Sequence, residues 1–479
     1  MSFKHRLLLH MLAAWWCCLA GPAPAQEAGS RLPQPVAQAL APAGIPESSV
    51  GIFVQDVQGA RPVIALGEAR ALNPASTIKL LTTFAALDQL GPAYQWTTEI
   101  YADGALQGDV LNGNLVLKGS GDPRLTLENF WLMLRNLRAR GVREIRGDLL
   151  LDRSYFTREE VDAANFDNEP TRPYNTPPDA LLVNFKAVRL QFIADAEHRA
   201  VKIIPEPALP QIRILNNVTL DNEGCDDWLS RLKLTALGDG AGARLLFSGN
   251  FSIACGDKER NYSVLGHAQY VHALFTLLWR ELGGVFAGGV RDADTPAGAR
   301  LLLAQQTQAL TEIVRDINKF SNNVMARQLY LALGAITLGA PASTEKSARA
   351  IKQWLAARRL AMPELALENG SGLSRVERIS AKNLGQILLA ANRAAFMPEF
   401  TASLPLVAVD GTMKKRLTGA DIAGQAHIKT GSLTGVRAIA GYVLDARGRM
   451  MVVVCIVNHA RASGASAAHD ALLKWIYGR

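Results

Sequence analysis

Three short strings of polar residues have the types and spacing needed for acyl transfer to a serine. They are Ser76–Lys79, Ser321–Asn323 and Lys429–Gly431, in this order along the chain. A serine hydroxyl becomes a useful nucleophile only when a neighbouring base takes its proton, and a lysine amine can do so only in its neutral form. Because Ser76 and Lys79 are three residues apart, a helix places them on one face. We therefore predict that Ser76 is acylated and that Lys79 is its base.

Ser321, Asn323 and Lys429 are predicted to surround this pair. Ser321 can pass a proton to the departing amine, and Asn323 can hold an amide group of the substrate. The ammonium of Lys429 is expected to stay charged and to attract the terminal carboxylate of a peptide. Burial and this second positive charge both lower the pKa of Lys79, which must fall by roughly 3 units from about 10.4.

The residues after Lys429 are predicted to form a strand edge that binds the substrate backbone. A peptide adds to such an edge as a further strand through main-chain hydrogen bonds, and Gly431 keeps the edge uncrowded. The hydroxyl of Thr430 completes the carboxylate pocket. The N–H groups of Ser76 and Ser432 are candidates for an oxyanion hole, in which one donor contributes about 3–4 kcal/mol.

The surroundings of Ser76 distinguish it from two other serines in the same pattern. Ser-x-x-Lys also occurs at Ser230–Lys233, in a mixed polar stretch, and at Ser343–Lys346, which reads as a helix-capping sequence. Only Ser76 stands at the start of a long apolar run, Ile78–Leu87, with Asn73 as a predicted cap. We therefore interpret the other two copies as structural.

Hydrophobic periodicity predicts the elements that carry the three strings. Ser321–Asn323 is expected at the junction of two helices that follow Leu310. Strands are expected at Leu106–Lys118, Val188–Ile204, Gln211–Thr219, Leu232–Phe251, Gln425–Thr430, Val436–Leu444 and Met450–Val457. Further helices are expected at Leu127–Arg140, Thr344–Arg358, Ala381–Ala391 and Ala467–Tyr477. This order indicates an α/β domain that is interrupted by a β-rich insertion.

Length and the first residues indicate an exported protein of several domains. The chain has 479 residues, which is too long for one ordinary domain. Lys4 and Arg6 precede the apolar stretch Leu7–Ala20, and Ala23–Ala25 offers a cleavage site, so residues 1–25 are predicted to be a signal peptide. Its removal takes two positive charges and no acid, which lowers the formal net charge from +8 to +6.

Several other functions lack a sequence signal. No basic run, zinc-finger spacing or aromatic-basic strip points to nucleic acid, and no Cys/His cluster or phosphate-binding loop points to a metal or another cofactor. Cys225 and Cys255 flank one segment and can pair in an oxidising compartment, but the sequence leaves this open. The end of the chain, Ala467–Arg479, reads as a packed helix, with loose membrane association as the alternative.

A longer series of motifs resembles a known family. These are Asn73–Lys79, Leu117–Pro123, Lys319–Asn323, Asn369–Arg375 and His427–Leu433. Together they resemble the class C low-molecular-mass penicillin-binding proteins, the D-alanyl-D-alanine carboxypeptidase/endopeptidase family, over nearly the whole mature chain.

The resemblance implies a fold and a set of domains. The implied fold is α/β, with a β-lactamase/transpeptidase-like domain whose antiparallel sheet is flanked by helices and which two inserted, β-rich domains interrupt. The expected ranges are a signal peptide at 1–25, a catalytic domain at 26–95 and 305–479, one inserted domain at 96–185 and 266–304, and a second at 186–265.

The resemblance also implies a substrate. The expected enzyme is a periplasmic serine carboxypeptidase that cleaves D-Ala-D-Ala ends of peptidoglycan peptides, commonly cleaves cross-links as well, and is inhibited when β-lactam antibiotics acylate its serine. Arg375 matches a family arginine that could pair with a free carboxylate of a diamino acid. An acid within Asp167–Glu169 is expected to assist it by a looser match, and Asn369 replaces a common aspartate.

Two other functions use the same residues. A class A β-lactamase needs a deacylating glutamate, and the expected Glu-x-x-Leu-Asn string is absent; a class C enzyme has Tyr-x-Asn where this chain has Ser-x-Asn. A non-catalytic peptidoglycan-binding protein has no need to keep all the reactive residues. Both remain alternatives that the sequence alone does not exclude.

Overall fold

The computed structural model describes residues 31–158, 162–238 and 242–479. The predicted signal peptide lies outside the described residues. Within them, no helix combines the length and apolar character that a membrane crossing requires.

The described residues form a mixture of helices and strands. The α-helices are α1 (Gln34–Leu40), α2 (Lys79–Leu90), α3 (Leu127–Ala139), α4 (His267–Glu281), α5 (Leu310–Lys319), α6 (Asn323–Leu338), α7 (Thr344–Ala357), α8 (Ala381–Asn392), α9 (Met397–Ser403) and α10 (Ser466–Tyr477). The strands of the first half are β1 (Val50–Asp56), β2 (Ile64–Leu66), β3 (Thr97–Gln107), β4 (Val110–Lys118), β5 (Glu144–Ile145), β6 (Leu149–Asp152), β7 (Val188–Asp195), β8 (Ala200–Glu206) and β9 (Ile212–Asp221). Those of the second half are β10 (Leu232–Gly238), β11 (Ala243–Ser252), β12 (Asp257–Tyr262), β13 (Val285–Phe286), β14 (Val290–Asp292), β15 (Arg300–Gln306), β16 (Ala426–Leu433), β17 (Val436–Leu444) and β18 (Met450–Asn458).

An antiparallel sheet with the strand order β16-β17-β18-β1-β2 supports the three polar strings. Alternate residues of β18 enter two cores: Val452 and Val454 pack with α2, α5, α6 and α8, whereas Val453 and Cys455 pack with α1 and α10. A strand that is buried on both faces is apolar throughout, which explains the unbroken run Met450–Val457. The predicted antiparallel sheet flanked by helices is confirmed. The helix at the end of the chain, α10, packs against the sheet.

The helix behind Ser76 is surrounded by protein. α2 packs against α5, α6 and α8, and its residues from Lys79 to Leu87 are buried. A 3₁₀ turn, Ala75–Ile78, precedes it, so Ser76 lies in this turn and not in the α-helix itself. The prediction of Asn73 as the cap is wrong, because Pro74 occupies the N-cap position of this turn; the Asn73 side chain instead accepts the Ala75 N–H at 2.8 Å just before it.

A second sheet, built around β3, β4 and β15, occupies the gap between the strings. The prediction of a single strand at Leu106–Lys118 is wrong, because the chain turns between Gln107 and Val110 and pairs β3 with β4 as a hairpin. The two residues of the turn, Gly108 and Asp109, are types that favour tight turns. Helices α3 and α4 cover this sheet and share its core.

Two small sheets complete the insertion. They have the orders β12-β7-β8 and β10-β11-β9, and their core is continuous with that of the second sheet. Cys225, which follows β9, and Cys255, which follows β11, form a disulfide with a Cα–Cα distance of 5.0 Å. The β-rich character predicted for this stretch agrees with these sheets. The single strands predicted at Val188–Ile204 and Leu232–Phe251 are wrong, because each range holds two antiparallel strands, β7 with β8 and β10 with β11. The exact domain boundaries stay a prediction.

Candidate active site

The turn that presents Ser76 is fixed by a pair of asparagines. The backbone N–H of Asn73 donates to the side-chain oxygen of Asn458 at 2.8 Å, and the Asn458 amide donates back to the Asn73 carbonyl at 3.0 Å. The Asn73 amide also donates to the Ser374 carbonyl at 2.9 Å. Ala75 then adopts a left-handed conformation with φ 45°, which is uncommon for a residue with a side chain. These hydrogen bonds fix the backbone next to Ser76 and so maintain the strained conformation of Ala75.

Lys79 is fully buried and touches three oxygen atoms. Its Nζ lies 3.0 Å from Ser76 Oγ and 2.6 Å from Asn323 Oδ1, and it also donates to the Ser371 carbonyl. The carbonyl oxygens of Asn323 and Ser371 can only accept, but the Ser76 hydroxyl can also donate. A neutral amine has two N–H donors and one lone pair. Its donors match the two carbonyls, and its lone pair is left for the hydroxyl proton of Ser76.

The environment of Lys79 favours the neutral amine. Burial and then the nearby charge of Lys429 lower the pKa of Lys79 well below its usual value, and Arg327 adds to this effect. The carboxylate of Glu377 acts in the opposite direction. Desolvation removes the water that stabilises an ammonium, and like charges oppose a second positive charge nearby.

The junction between α5 and α6 presents Ser321 and Asn323. Ser321 adopts φ 55°, and the side chain of Asn322 caps α6 by accepting the Met325 N–H at 3.0 Å. The side chain of Asn322 is occupied by this cap. The side chains of Ser321 and Asn323, on either side of it, face the lysines of the site. Ser321 Oγ accepts from Lys429 Nζ at 2.9 Å, and Asn323 contacts Lys79 as described above.

Lys429 lies on β16, the edge strand of the central sheet, and is fully buried. Its Nζ donates to Ser321 Oγ and to the Thr430 carbonyl, each at 2.9 Å. Burial lowers the pKa of Lys429 to about 7. The expectation that this amine simply stays charged is therefore modified, because its charge varies around neutral pH.

The other residues of the β16 string lie along the same edge. Thr430 Oγ1 donates to Thr412 Oγ1 at 2.8 Å, and Ser432 pairs with β17. A Cβ atom on Gly431 would lie 2.7 Å from the Pro74 carbonyl oxygen and 3.1 Å from Ser76 N. Gly431 therefore has a second reason to lack a side chain, because it allows β16 to approach the Ser76 turn.

Arg375 lies at the rim and not among the residues that contact Lys79. It is exposed, its guanidinium stands 4.6 Å from the centre of the Phe166 ring, and it donates to the Thr434 carbonyl at 3.3 Å. Asp167, next to Phe166, accepts from the Tyr174 hydroxyl at 2.8 Å and so stabilises its own loop. The structure places this loop beside Arg375 but shows no ion pair between the two charged residues.

Glu377 is a buried residue that the sequence interpretation missed. Its Oε1 accepts the N–H groups of Asn369 at 2.9 Å and Gly370 at 2.8 Å, as well as a longer one at 3.2 Å, and its Oε2 accepts Gly372 N–H at 3.0 Å. These bonds shape the loop whose Ser371 carbonyl contacts the Lys79 amine. An acid a few residues after a Gly/Ser-rich loop was the available signal, because such a loop has many free N–H groups.

The other two Ser-x-x-Lys serines have structural roles. Ser343 caps α7 by accepting the Lys346 N–H at 3.2 Å. Ser230 donates to the Asp227 carbonyl at 3.1 Å. Neither serine contacts the amine of its own lysine, in contrast to Ser76.

Comparison with known proteins identifies the family. The family model described as D-Ala-D-Ala carboxypeptidase 3 (S13) matches residues 32–477. The chain belongs to the S13 family. The resemblance inferred from the motifs is thereby confirmed, and the S13 chain is a serine-type D-Ala-D-Ala carboxypeptidase, a hydrolase.

Curated S13 relatives match most of the chain. D-alanyl-D-alanine carboxypeptidase DacB of Haemophilus influenzae is 25% identical over 417 residues, which cover 86% of this chain and 86% of the relative. D-alanyl-D-alanine carboxypeptidase of Actinomadura sp. strain R39 is 28% identical over 473 residues, which cover 95% of this chain and 86% of the relative.

Solved structures establish the S13 fold of this chain. The crystal structure of penicillin binding protein 4 (dacB) from Haemophilus influenzae matches with a TM-score of 0.79 and 24% identity over 93% of this chain and 99% of that one. The same protein complexed with a β-lactam matches with a TM-score of 0.74. These structural matches confirm the predicted β-lactamase/transpeptidase-like fold with additional domains.

Proposed function

We propose that Ser76 is the acylated nucleophile of a D-Ala-D-Ala carboxypeptidase and DD-endopeptidase that acts on peptidoglycan peptides in the periplasm. One observation supports this most strongly: the buried Lys79 Nζ lies 3.0 Å from Ser76 Oγ while two carbonyl oxygens occupy its remaining contacts. This arrangement matches a neutral amine that is ready to accept the hydroxyl proton.

In the first half-reaction, Ser76 Oγ attacks the carbonyl carbon of the penultimate D-alanine and its proton passes to Lys79 Nζ. The N–H groups of Ser76 and Ser432 are assigned to the resulting oxyanion, which preorganised donors stabilise. The C–N bond then breaks, and the departing D-alanine amine takes a proton from Ser321 Oγ. Lys429 Nζ, 2.9 Å away, returns a proton to Ser321.

Before the second half-reaction, Lys79 gives up the proton that it took from Ser76 and Lys429 takes up a proton, which restores a neutral Lys79 and a charged Lys429. Water then attacks the acyl carbon and Lys79 takes its proton. The C–O bond to Ser76 breaks, and Lys79 passes that proton to the serine oxygen, so the site returns to its starting state. Asn323 holds Lys79 through its carbonyl, and its amide NH₂ is assigned to a substrate carbonyl. A β-lactam enters the same first step, with its ring amide as the bond that breaks.

Lys429, Thr430 and Gly431 are assigned to substrate binding. The terminal carboxylate pairs with Lys429 and the Thr430 hydroxyl, and this pairing raises the pKa of the lysine above the value of about 7 that burial gives it. The substrate backbone adds along the free edge of β16, which Gly431 leaves open.

Arg375 is assigned to the free carboxylate of a diamino acid in the stem peptide. Its guanidinium is exposed at the rim and its Nη1 makes only a 3.3 Å bond, to the Thr434 carbonyl. In a cross-link, the leaving group is the side-chain amine of such a residue, so the same constellation supports endopeptidase action.

The test is a pair of assays on the mature protein. Mass spectrometry after incubation with benzylpenicillin is expected to find a long-lived adduct on Ser76, and a pentapeptide ending in D-Ala-D-Ala is expected to release D-alanine. Ser76→Ala should lose both, whereas Ser230→Ala, in a matched Ser-x-x-Lys string, should keep both. Fast penicillin hydrolysis without an adduct would make the protein a β-lactamase, and neither reaction would make it a binding protein.

A further inference from the structure

A cavity of about 490 Å³ lies outside the groups assigned to catalysis, at the first residues of α4. We call it the α4 cavity. The residues of its lining that matter here are Arg153, Arg158, Asp162, Asp179, Lys186 and His267. They come from the segment before β7 and from the start of α4.

Lys186 is the one cation in this lining without a partner among the described residues. No described carboxylate lies within 4.0 Å of its amine, and the amine makes no hydrogen bond to any described residue. Burial lowers its pKa to about 8. A partly buried ammonium without a partner is costly, and a bound anion would remove that cost.

The backbone that carries Lys186 is strained. Asn184, Phe185 and Lys186 have φ values of 46°, 54° and 52°, three left-handed residues in succession without a glycine. The Asn184 amide holds this turn by donating to the Tyr270 hydroxyl of α4 at 2.9 Å and to the Ala187 carbonyl at 3.1 Å. Backbone strain of this kind is concentrated at functional sites.

His267 provides a second unsatisfied group. Both ring nitrogens are buried without a hydrogen bond in the described structure, although Nδ1 lies 3.9 Å from Asp179 Oδ2. Burial lowers the pKa of His267 to about 4, so the ring is neutral and has one N–H to donate. His267 is also the first residue of α4, where free backbone N–H groups favour negative charge.

The remaining charges of the cavity are already engaged. Arg153 bonds Asp179 at 2.7 Å and Asp292 at 2.9 Å, and Arg158 lies 3.4 Å from Asp292. The exposed Asp162 accepts the Ala164 N–H at 2.8 Å. Lys186 and His267 are therefore the groups that have capacity left for a ligand.

A second cavity lies between the α4 cavity and the loop that contacts Lys79. This second cavity, of about 360 Å³, shares Thr157 and Pro178 with the α4 cavity and extends to Asn369. Asn369 Oδ1 accepts from Ser371 Oγ at 2.6 Å, and the Ser371 carbonyl contacts Lys79.

We propose that the α4 cavity binds an oxyanion, a carboxylate or a phosphate, through Lys186, His267 and the first N–H groups of α4. Resting on the proposed function, its occupant is a carboxylate of the peptidoglycan stem peptide beyond the cleaved bond. A phosphate group has the same chemistry and is the other source to be distinguished.

The binding test uses inorganic phosphate and isothermal titration calorimetry on the mature protein. Wild type is expected to bind phosphate, and Lys186→Gln and His267→Gln are each expected to weaken one phosphate site at least tenfold. Lys474→Gln, an exposed lysine of α10, is the matched control and should bind as wild type. Wild-type phosphate affinity in both cavity variants would overturn the proposal.

Kinetics with two substrates identify the source of the anion. For a stem pentapeptide with its free carboxylates, Lys186→Gln should raise KM several-fold and leave kcat unchanged, whereas a short D-Ala-D-Ala peptide that lacks them should show no change. Weakened phosphate binding with unchanged KM would support the site and assign it to phosphate. Ser76→Ala separates the two proposals, because it should bind phosphate normally while it turns over neither substrate. Thermal unfolding checks that each variant is folded.

Discussion

The substitution Glu377→Gln gives a quantitative test of how the loop at Ser371 controls Lys79. The carboxylate of Glu377 accepts four backbone N–H groups at distances of 2.8–3.2 Å. Glutamine keeps one acceptor oxygen, but its NH₂ group would face the Gly372 N–H, so at least one charge-assisted bond is lost. Such a bond contributes about 1.5–3 kcal/mol, and we expect the free energy of unfolding to fall by about 2 kcal/mol.

Two readouts are expected for this variant. A loss of about 2 kcal/mol corresponds to a fall in Tm of about 4–8 °C for a unit of 150–250 residues. The acylation rate with benzylpenicillin, measured by mass spectrometry, should fall about 10- to 100-fold, because a displacement of about 1 Å in a catalytic group has effects of that size. The negative charge of Glu377 raises the pKa of Lys79, so its removal should move the acidic limb of the pH–rate profile to lower pH.

Glu364→Gln is the matched control for this experiment. The Glu364 carboxylate also bonds a loop, accepting Ser380 N–H at 3.0 Å and the Asn383 amide at 2.7 Å. It is not among the charges that shift the pKa of Lys79. The control should lose stability and keep the acidic limb in place. The reasoning would be refuted if Glu377→Gln kept wild-type Tm and acylation, or if its acidic limb moved to higher pH.

Three further predictions address binding, packing and stability. Because burial lowers the pKa of Lys429 to about 7, kcat/KM for a peptide with a terminal carboxylate should fall as pH rises above 7, and this basic limb should be absent for a substrate with an amidated end. Gly431→Ala places a Cβ 2.7 Å from the Pro74 carbonyl and should slow benzylpenicillin acylation at least tenfold, whereas Gly298→Ala, at an open position, should not. Cys225→Ser removes the disulfide to Cys255 and should lower the free energy of unfolding by about 2–4 kcal/mol in denaturant titrations while D-alanine release stays at the wild-type rate.

Much of the candidate site is predictable because each string carries a local structural signal. The spacing of Ser76 and Lys79 gives their contact in any helical turn, and the capping asparagine at 322 marks the start of α6 next to Ser321 and Asn323. The strand around Lys429 follows from its apolar neighbours. These features depend on a few consecutive residues, which a sequence displays directly.

The missed features depend on contacts between distant residues. Glu377 matters because four N–H groups of a folded loop converge on it, which no periodicity reveals. The hairpin inside Leu106–Lys118 resembles one strand in the sequence because apolar residues alternate on both sides of the turn. The second reason for Gly431, the approach of Pro74 and Ser76, also arises only when β16 and the 3₁₀ turn are brought together.

The central claim is that Lys79 is a neutral amine when it takes the proton of Ser76. The most direct measurement is a ¹³C NMR titration of the protein labelled at the lysine side chains, with the Lys79 signal assigned from Lys79→Met. We predict that this signal titrates well below 10.5 and that its midpoint coincides with the acidic limb of benzylpenicillin acylation. A Lys79 amine that stays protonated up to about pH 10 while acylation is already maximal near pH 7 would contradict the mechanism.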